Sequence, residues 1–336
     1  MFGVALPNCS FLFPWATPEG LVNLSKNAEE LGFDSVWCNH HITPPAYLEH
    51  LEPRPKLFDP LICLSFISAE TREVKIGTSV LVLPYLEPVN TAMQISALDH
   101  FTGGRLIVGV GSGAYREEFE ALHPELSPSN RGKIMEESIK SILKLLYEPK
   151  TSFQGEFIKF ENIEMDLKPL QNPLPFWIAG NAEIILERVA LYGSGWFPAA
   201  LSSGEIRTGV KRIKEFAEKS ARNPAEIEIA PQYLGFIDYD RKNALKKYKK
   251  SLGLTHTVSL KKSTLKKTAN LMMTDDNALL KRNFIGTPSD IIRKIEGFTE
   301  AGATYFPAIA FSHENNKLES IVDQWKLFSR EVMPSF

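Results

Sequence analysis

The stretch GRLIVGVGSGAYREEFEAL, residues 104–122, decides how the fold is interpreted. Leu106–Val110 is a short apolar run typical of a buried strand, and a helical pattern that opens with two acidic residues follows the glycines. Gly109, Gly111 and Ala114 fit the dinucleotide-binding pattern G-x-G-x-x-G/A between a strand and a helix. The stretch therefore predicts either a Rossmann pyrophosphate loop or a strand end in another α/β fold.

The position of this stretch in the chain separates the two interpretations. Short apolar runs alternate with helical patterns almost throughout, which implies parallel strands joined by helical crossovers. Eight such units predict an α/β fold, a (β/α)8 TIM barrel with residues 1–336 as a single domain. A Rossmann loop usually lies in the first strand–helix turn, whereas these glycines lie in the fourth unit. A doubly wound fold is therefore the weaker alternative.

The predicted elements follow the chain in a regular order. The eight strands are residues 2–7, 35–40, 74–84, 106–110, 175–181, 195–199, 227–237 and 303–311. Two insertions interrupt this order. Residues 151–165 alternate in polarity around a turn glycine and predict a hairpin. Residues 240–283 are rich in lysine and predict a helical segment, whose lysine run is interpreted as a solvated face, with a mobile lid as the alternative.

Composition and charge restrict the class of function. The chain of 336 residues is 43% hydrophobic and has a net charge of −2 at pH 7, so no basic footprint indicates nucleic-acid binding. No apolar run is long enough to span a membrane, and the apolar start lacks the basic residues of a signal peptide, so a cytoplasmic location is expected. Cys9, Cys38 and Cys63 form no zinc-binding pattern and predict free thiols and no metal site. A small-molecule substrate is the expected partner.

A barrel fold predicts where the site lies, because ligands bind at the carboxyl ends of its strands. A glycine-rich turn at such an end lets the backbone approach a flat ligand closely. The predicted strand ends are Pro7–Asn8, Asn39–His41, Ser79–Leu83, Gly111–Tyr115, Gly180–Ala182, Phe197–Pro198, Gln232–Tyr233 and Ala308–Phe311.

The motifs at these strand ends resemble those of the bacterial luciferase-like family of FMN- or F420-dependent oxidoreductases. They recur in the family's order as GFDSVWCNHH (32–41), the run from VKIGTSVLVLP to FEALH (74–123), PFWIAGNAEIILERVALYGSGWFP (175–198) and FIGTPSDIIRKIEGFTEAGA (284–303). The resemblance implies a (β/α)8 barrel, a bound flavin or deazaflavin, and often a homodimer.

The resemblance also implies roles for individual residues. A bulge after the third strand, with a non-proline cis bond at Ser79–Val80, would support the cofactor ring. The turn after the fifth strand would bind the cofactor phosphate through backbone amides at a helix N-terminus, with an ordinary turn capped by Asn181 as the alternative. The implied cofactor-binding residues are Ser79, Val80, Ser112, Gly113, Ala114, Tyr115, Gly180, Asn181, Ala182 and Trp196, of which Trp196 is expected to serve as a wall or core residue.

The pair His40–His41 matches the catalytic position of the family. Luciferases carry a His-His pair here and the first is catalytic, so His40 is the implied acid or base and His41 the supporting residue. Histidine suits this task because its ordinary pKa lies near neutrality. Phe11, Phe13 and Trp15 are interpreted as a substrate wall near the mouth, with loop packing as the alternative.

Two departures from the family pattern bear on the cofactor. Ser112 stands where luciferase has an arginine for the flavin phosphate, and Ala114 stands where deazaflavin sugar-phosphate dehydrogenases have a catalytic glutamate. The predicted function is an FMN-dependent monooxygenase that uses reduced flavin and O2, with a separate flavin reductase as partner. An F420-dependent oxidoreductase that transfers hydride and a non-catalytic flavin-binding barrel are the alternatives.

Overall fold

The computed structural model describes residues 1–9, 16–44, 56–251, 253–254, 265–312 and 318–336. Phe11, Phe13 and Trp15 lie outside the described residues. The strands are β1 Phe2–Ala5, β2 Ser35–Cys38, β3 Lys75–Thr78, β4 Leu81–Val82, β5 Leu106–Gly111, β6 Lys150–Gln154, β7 Lys159–Glu164, β8 Phe176–Ala179, β9 Gly195–Phe197, β10 Glu228–Ile229, β11 Leu234–Ile237, β12 Phe284–Gly286 and β13 Phe306–Phe311.

Helices follow nearly every strand. They are α1 Pro18–Glu30, α2 Pro60–Glu70, α3 Pro88–Thr102, α4 Arg116–Leu122, α5 Arg131–Tyr147, α6 Glu183–Tyr192, α7 Ser203–Lys219, α8 Arg241–Lys250, α9 Lys266–Thr274, α10 Asp276–Lys281, α11 Pro288–Glu300 and α12 Leu318–Glu331. None of the helices in the described ranges combines the length and the apolar content that crossing a bilayer requires.

The parallel strands close into the predicted barrel. Their hydrogen-bonded order is β10, β9, β8, β5, β3, β2, β1, β13 and β11. The predicted strand 227–237 contains both β10 and β11, so it pairs with β9 through one half and with β13 through the other. The carbonyl of Ile229 also accepts the amides of Thr304 and Tyr305. The fold class is confirmed, and the doubly wound alternative is wrong.

Large aromatic rings fill the barrel interior. Trp37 and Trp177 stack with ring centroids 5.3 Å apart, and both are almost fully buried. A Cβ at Gly77 would collide with the Trp37 ring, so glycine on the neighbouring strand leaves the room that this ring needs. This packed interior leaves the carboxyl-end face of the barrel as the place for a ligand.

Three details differ from the sequence-based expectation. The predicted strand 74–84 is divided into β3 and β4, and the predicted strand 227–237 is interrupted around Pro231, which has no amide hydrogen for a ladder. The short strand β12 was not predicted. It pairs in parallel with β11 outside the barrel, and three residues are too few to produce a periodic pattern.

Both predicted insertions are present. Strands β6 and β7 form the antiparallel hairpin, and the Glu137 carboxylate accepts backbone amides of Glu156, Phe157 and Ile158 at its tip. Helices α8, α9 and α10 form the second insertion. They share a small apolar core with β11 and β12 that consists of Phe236, Ala244, Tyr248, Met272, Leu279 and Ile285.

Candidate active site

Two adjoining cavities open at the carboxyl ends of the barrel strands. Cavity A has a volume of about 230 Å³ and cavity B about 180 Å³. The residues that line both are His41, Ser79, Ala114, Ala199, Gln232 and Leu265. The pair therefore forms one divided pocket at the face where a barrel binds its ligand.

Cavity B gathers most of the residues implied as cofactor-binding. Its lining includes His40, His41, Ser79, Val80, Ser112, Gly113, Ala114, Gly180 and Asn181, and Tyr115 lines cavity A. Ala182 is exposed at the rim and lines neither cavity. Trp196 is 1% exposed and donates its indole N–H to the Gly180 carbonyl at 2.9 Å. Trp196 thus supports the turn from the core and does not form a wall of the pocket.

The peptide bond Ser79–Val80 is cis, which confirms the expectation drawn from the resemblance. The Ser79 hydroxyl donates to Asn39 Oδ1 at 3.0 Å. Asn8, which is fully buried, exchanges hydrogen bonds with the Asn39 backbone amide and carbonyl at 2.8 and 2.7 Å. Asn8 and Asn39 thereby join the ends of the first three barrel strands beneath the pocket.

His40 lies at the buried side of cavity B. Its Nδ1 accepts the Val82 backbone N–H at 3.1 Å, so Nδ1 carries no proton and the neutral ring carries its proton on Nε2. Burial lowers the pKa of His40 below its ordinary value. The structure therefore favours a neutral His40 that can donate one hydrogen bond from Nε2.

His41 contacts a buried acidic residue that was not predicted from the sequence. Its Nδ1 lies 3.1 Å from both carboxylate oxygens of Glu118, which is fully buried in α4. The Ile42 amide donates to the same carboxylate at 3.1 Å, and the Tyr85 hydroxyl lies 3.5 Å from it. A carboxylate that orients a histidine through a hydrogen bond to one ring nitrogen is an arrangement suited to proton transfer at the other.

The only sequence signal for Glu118 was its place in the first turn of α4, where acidic residues are common for helix stability alone. Its contact with His41 spans 77 residues of chain. No local pattern can therefore reveal it, and the neighbouring acid Glu117 looked equivalent.

The glycine-rich loop adopts a conformation that requires glycine. Gly113 has φ +82°, and a Cβ there would lie 2.9 Å from both Tyr85 Oη and Val82 Cγ1. The buried Arg131 donates Nη1 to the carbonyls of Gly113 and Tyr115 at 3.1 and 3.2 Å, and burial lowers its pKa. Arg131, which the sequence did not single out, clamps this loop from behind.

The turn after β8 differs from an ordinary capped helix start. Asn181 donates Nδ2 to the Ala199 carbonyl at 2.9 Å and accepts the Ala199 amide at 3.1 Å. Its side chain therefore joins two strand ends and does not cap α6. The N-cap residue is Ala182, without a side-chain cap, so the alternative with Asn181 as the cap is wrong. The first backbone amides of a helix that lacks a side-chain cap can bind an anion.

Cavity A is mainly apolar, with amide side chains at intervals. Six alanines line it, together with Asn39, Gln232 and Asn283. Leu265 and Met272 of the lysine-rich insertion complete the wall. Neither cavity is lined by a lysine, arginine, aspartate or glutamate among the described residues. This lining suits an uncharged organic molecule.

The cysteines near the pocket are thiols, as expected. Cys38 and Cys63 share a hydrogen bond, and burial raises the pKa of Cys38 well above its ordinary value, so Cys38 is an unreactive thiol. Within the described part of the chain, no group of three or more histidine, cysteine, aspartate or glutamate residues could hold a metal ion.

Known proteins share this architecture and its motifs. The model of the luciferase-like monooxygenase family matches residues 1–305. An F420-dependent glucose-6-phosphate dehydrogenase from Amycolatopsis mediterranei (strain U-32) is 24% identical over 325 residues, 94% of this chain and 94% of that protein. An FMNH2-dependent dimethylsulfone monooxygenase from Pseudomonas putida is 30% identical over 163 residues, 48% of this chain and 44% of that protein. The monooxygenase RslO1 from Streptomyces bottropensis has the same fold, with a TM-score of 0.79 at 20% identity over 99% of each chain.

Proposed function

The chain belongs to the luciferase-like monooxygenase family, and from that premise we propose that it is an FMN-dependent monooxygenase acting on a small organic substrate. It is an oxidoreductase of the kind that depends on a flavin or on F420. The observation that carries the proposal is cavity B, where the cis bond, the glycine-rich loop and the turn before α6 face one space. Bound reduced flavin would supply the electrons that activate O2.

The lining of cavity B fits such a cofactor. Val80, Gly111 and Ala179 offer small apolar surfaces to a flat ring, and glycine at 111 keeps its own Cβ out of the space beside Val80. Backbone amides near Gly180 and Asn181 are the donors available for a phosphate. The site would therefore bind the phosphate without the arginine that luciferase has at the position of Ser112.

The two histidines have different tasks in this proposal. His41 transfers a proton, because Glu118 orients its ring and both cavities reach it. His40 stays neutral and positions the cofactor or substrate through Nε2–H, because the Val82 amide occupies Nδ1. This reverses the order implied by the family resemblance, in which the first histidine is the catalytic one.

Hydride transfer with F420 is the second candidate, favoured by the full-length relative that uses F420. Ala114 argues against the sugar-phosphate form of that reaction, because it lines both cavities where those enzymes have a glutamate. The FMNH2-dependent relative, although it covers half of the chain, has the higher identity. FMN therefore remains the first choice.

Two protein partners belong to the proposal. A separate reductase would supply reduced flavin in a cytoplasmic setting.

A second copy of the chain would cover the outer faces of α2 and α3, where Ile62, Phe66, Met93 and Phe101 are 51–74% exposed. These four apolar side chains are exposed on two neighbouring helices, and exposed apolar patches are typical of interaction surfaces.

The test is anaerobic loading of the protein with reduced FMN, followed by oxygen-18-labelled O2 and a panel of uncharged organic molecules. The proposal predicts a product that carries one labelled oxygen atom. Reoxidation of the flavin without labelled product from any molecule, combined with substrate-dependent oxidation or reduction of bound F420, would replace it by the hydride-transfer alternative.

A further inference from the structure

The charge of the chain is distributed unevenly. Residues 241–282 carry twelve of the 38 lysines and arginines and two of the 40 aspartates and glutamates. This segment therefore has a net charge of +10, whereas the rest of the chain has a net charge of −12. A segregation of this size in a nearly neutral protein creates a local positive field.

Much of this charge faces solvent, and two of the lysines lie next to the wall of the pocket. Lys242, Lys246, Lys250, Lys266, Lys267 and Lys281 are exposed, and none of them forms an ion pair with a carboxylate among the described residues. Lys266 and Lys267 directly follow Leu265, which lines both cavities. Met272, in the same helix, also lines cavity A and belongs to the insertion's small core.

The pocket itself offers no cation from its described lining. An anionic ligand that enters it is attracted by backbone amides at close range only, because such dipoles act over a short distance. Any long-range attraction must come from charges at the rim. The segment with the largest concentration of positive charge contributes Leu265 to both cavities, and Lys266 and Lys267 follow that residue directly.

We propose that the exposed lysines of this insertion form an entry surface for the anionic tail of the cofactor, with Lys266 and Lys267 as the residues nearest the pocket. The ligand chemistry is a phosphate-bearing chain attached to a flat ring system, which FMN and F420 share. This inference rests on the proposed function. The lysines act on the rate of association, whereas the turn near Gly180 and Asn181 holds the phosphate once it is bound.

The physical signature of such a surface is dependence on charge and on salt. Electrostatic steering raises association rates by about tenfold or more at low ionic strength. The effect falls as the Debye length shortens from about 30 Å at 0.01 M salt to about 3 Å at 1 M. A ligand with the same ring but no phosphate shows neither dependence, and riboflavin is that ligand.

The test compares the association rates of FMN, F420 and riboflavin in stopped-flow fluorescence at low and high salt. The variant is Lys266→Gln/Lys267→Gln. The control is Lys159→Gln/Lys219→Gln, which removes the same charge from exposed positions on the hairpin and at the end of α7. The thermal unfolding midpoint of each variant verifies that it is folded.

We expect the Lys266→Gln/Lys267→Gln variant to associate with FMN about three- to tenfold more slowly at low salt. Riboflavin association, FMN dissociation and the control variant should stay near wild-type values. F420, with more negative charges, should show the same loss with a steeper salt dependence. The cofactor whose association is slowed more in the Lys266→Gln/Lys267→Gln variant is the one whose anionic tail the lysines attract more strongly.

Three results would overturn the inference. Equal slowing of riboflavin would mean that the substitutions alter the pocket, and equal slowing in the control variant would mean that net charge alone matters. Unchanged FMN and F420 rates would assign the lysines to another partner, such as an acidic protein. If the wild-type protein binds none of the three ligands, the proposed function itself fails and this inference fails with it.

Discussion

The residue pair His41–Glu118 carries the chemistry proposed for this pocket. The Glu118 carboxylate is fully buried, lies 3.1 Å from His41 Nδ1 and accepts the Ile42 amide. Burying a carboxylate costs free energy unless the carboxylate accepts hydrogen bonds, and Glu118 has these partners. The histidine pair could be predicted from the sequence because it ends the predicted second strand and matches the catalytic position of the family it resembles. Glu118 and Arg131 could not, because each acts through a contact with a distant part of the chain.

Glu118→Gln tests the role of this carboxylate. Gln keeps the size and one carbonyl oxygen but replaces the other carboxylate oxygen, an acceptor 3.1 Å from His41 Nδ1, by an NH2 donor. We expect the rate of product formation to fall about tenfold to a hundredfold, within the range of general acid–base contributions. Glu120→Gln, on the exposed side of α4, should retain wild-type rates.

The two residues should also act as a unit. The rate of product formation should fall by the same factor in His41→Asn and in His41→Asn/Glu118→Gln, because the effects of substitutions within one catalytic unit are not additive. Losses that multiply in the double variant would show that His41 and Glu118 contribute independently and would contradict this unit.

His40 predicts a pH dependence of stability. Burial lowers the pKa of His40 in the folded protein. At pH values between this lowered pKa and the ordinary histidine pKa of about 6.5, the unfolded chain therefore binds more protons than the folded protein. The free energy of unfolding therefore falls as the pH drops through this window. We expect the free energy of unfolding in urea to fall less below pH 6.5 for His40→Asn than for the wild type. His100→Asn, at an exposed position, should follow the wild-type curve.

At the scale of elements, the sequence predicts regular structure well and irregular structure poorly. All eight barrel strands and the hairpin lie where they are predicted, and α2, α3 and α11 begin with proline, a residue that favours the first helical position. The breaks between β3 and β4 and between β10 and β11 have no periodic signal. They occur where the chain turns toward the ligand side, and tertiary context decides them.

Gly113→Ala tests the glycine-rich loop as an element of the site. An alanine there must adopt φ near +82° and brings Cβ to 2.9 Å from Tyr85 Oη. We expect a loss of about 2–4 kcal/mol in the free energy of unfolding, from the left-handed backbone and the overlap together. The affinity for reduced FMN should also fall.

Gly103→Ala is the matched control, with φ +66° and no atom within 4 Å of the added Cβ. It should lose only about 1–2 kcal/mol, the backbone contribution, and bind the cofactor normally. Equal losses of stability and of affinity in both variants would show that the loop conformation has no special relation to the pocket.

The outer faces of α2 and α3 predict an association between copies of the chain. Phe66 and Phe101 are 53% and 74% exposed, and a buried charge in their place would oppose any apolar interface. We expect the wild type to sediment as a dimer and Phe66→Lys/Phe101→Lys as a monomer. Leu170→Lys, 54% exposed on a loop, should remain dimeric. A monomeric wild type would contradict the proposal.

At the scale of the whole molecule, the barrel explains why distant sequence segments form one pocket. Parallel strands place all their carboxyl ends on one face, so residues from β2 to β13 meet there although they span most of the chain. The lysine-rich insertion adds Leu265 and Met272 to the wall of that face, while the hairpin lies between α5 and β8. The sequence predicts the face of the barrel and most lining positions, but the division into two cavities depends on side-chain packing.

The measurement that tests the central claim most directly is an anaerobic fluorescence titration of the purified protein with FMN, FAD and F420, each oxidised and reduced. We predict that reduced FMN binds most tightly and that Gly113→Ala weakens its binding while Gly103→Ala does not. Selective binding of F420 would contradict the monooxygenase assignment and move the function to hydride transfer. Binding of none of the three would contradict the cofactor assignment itself.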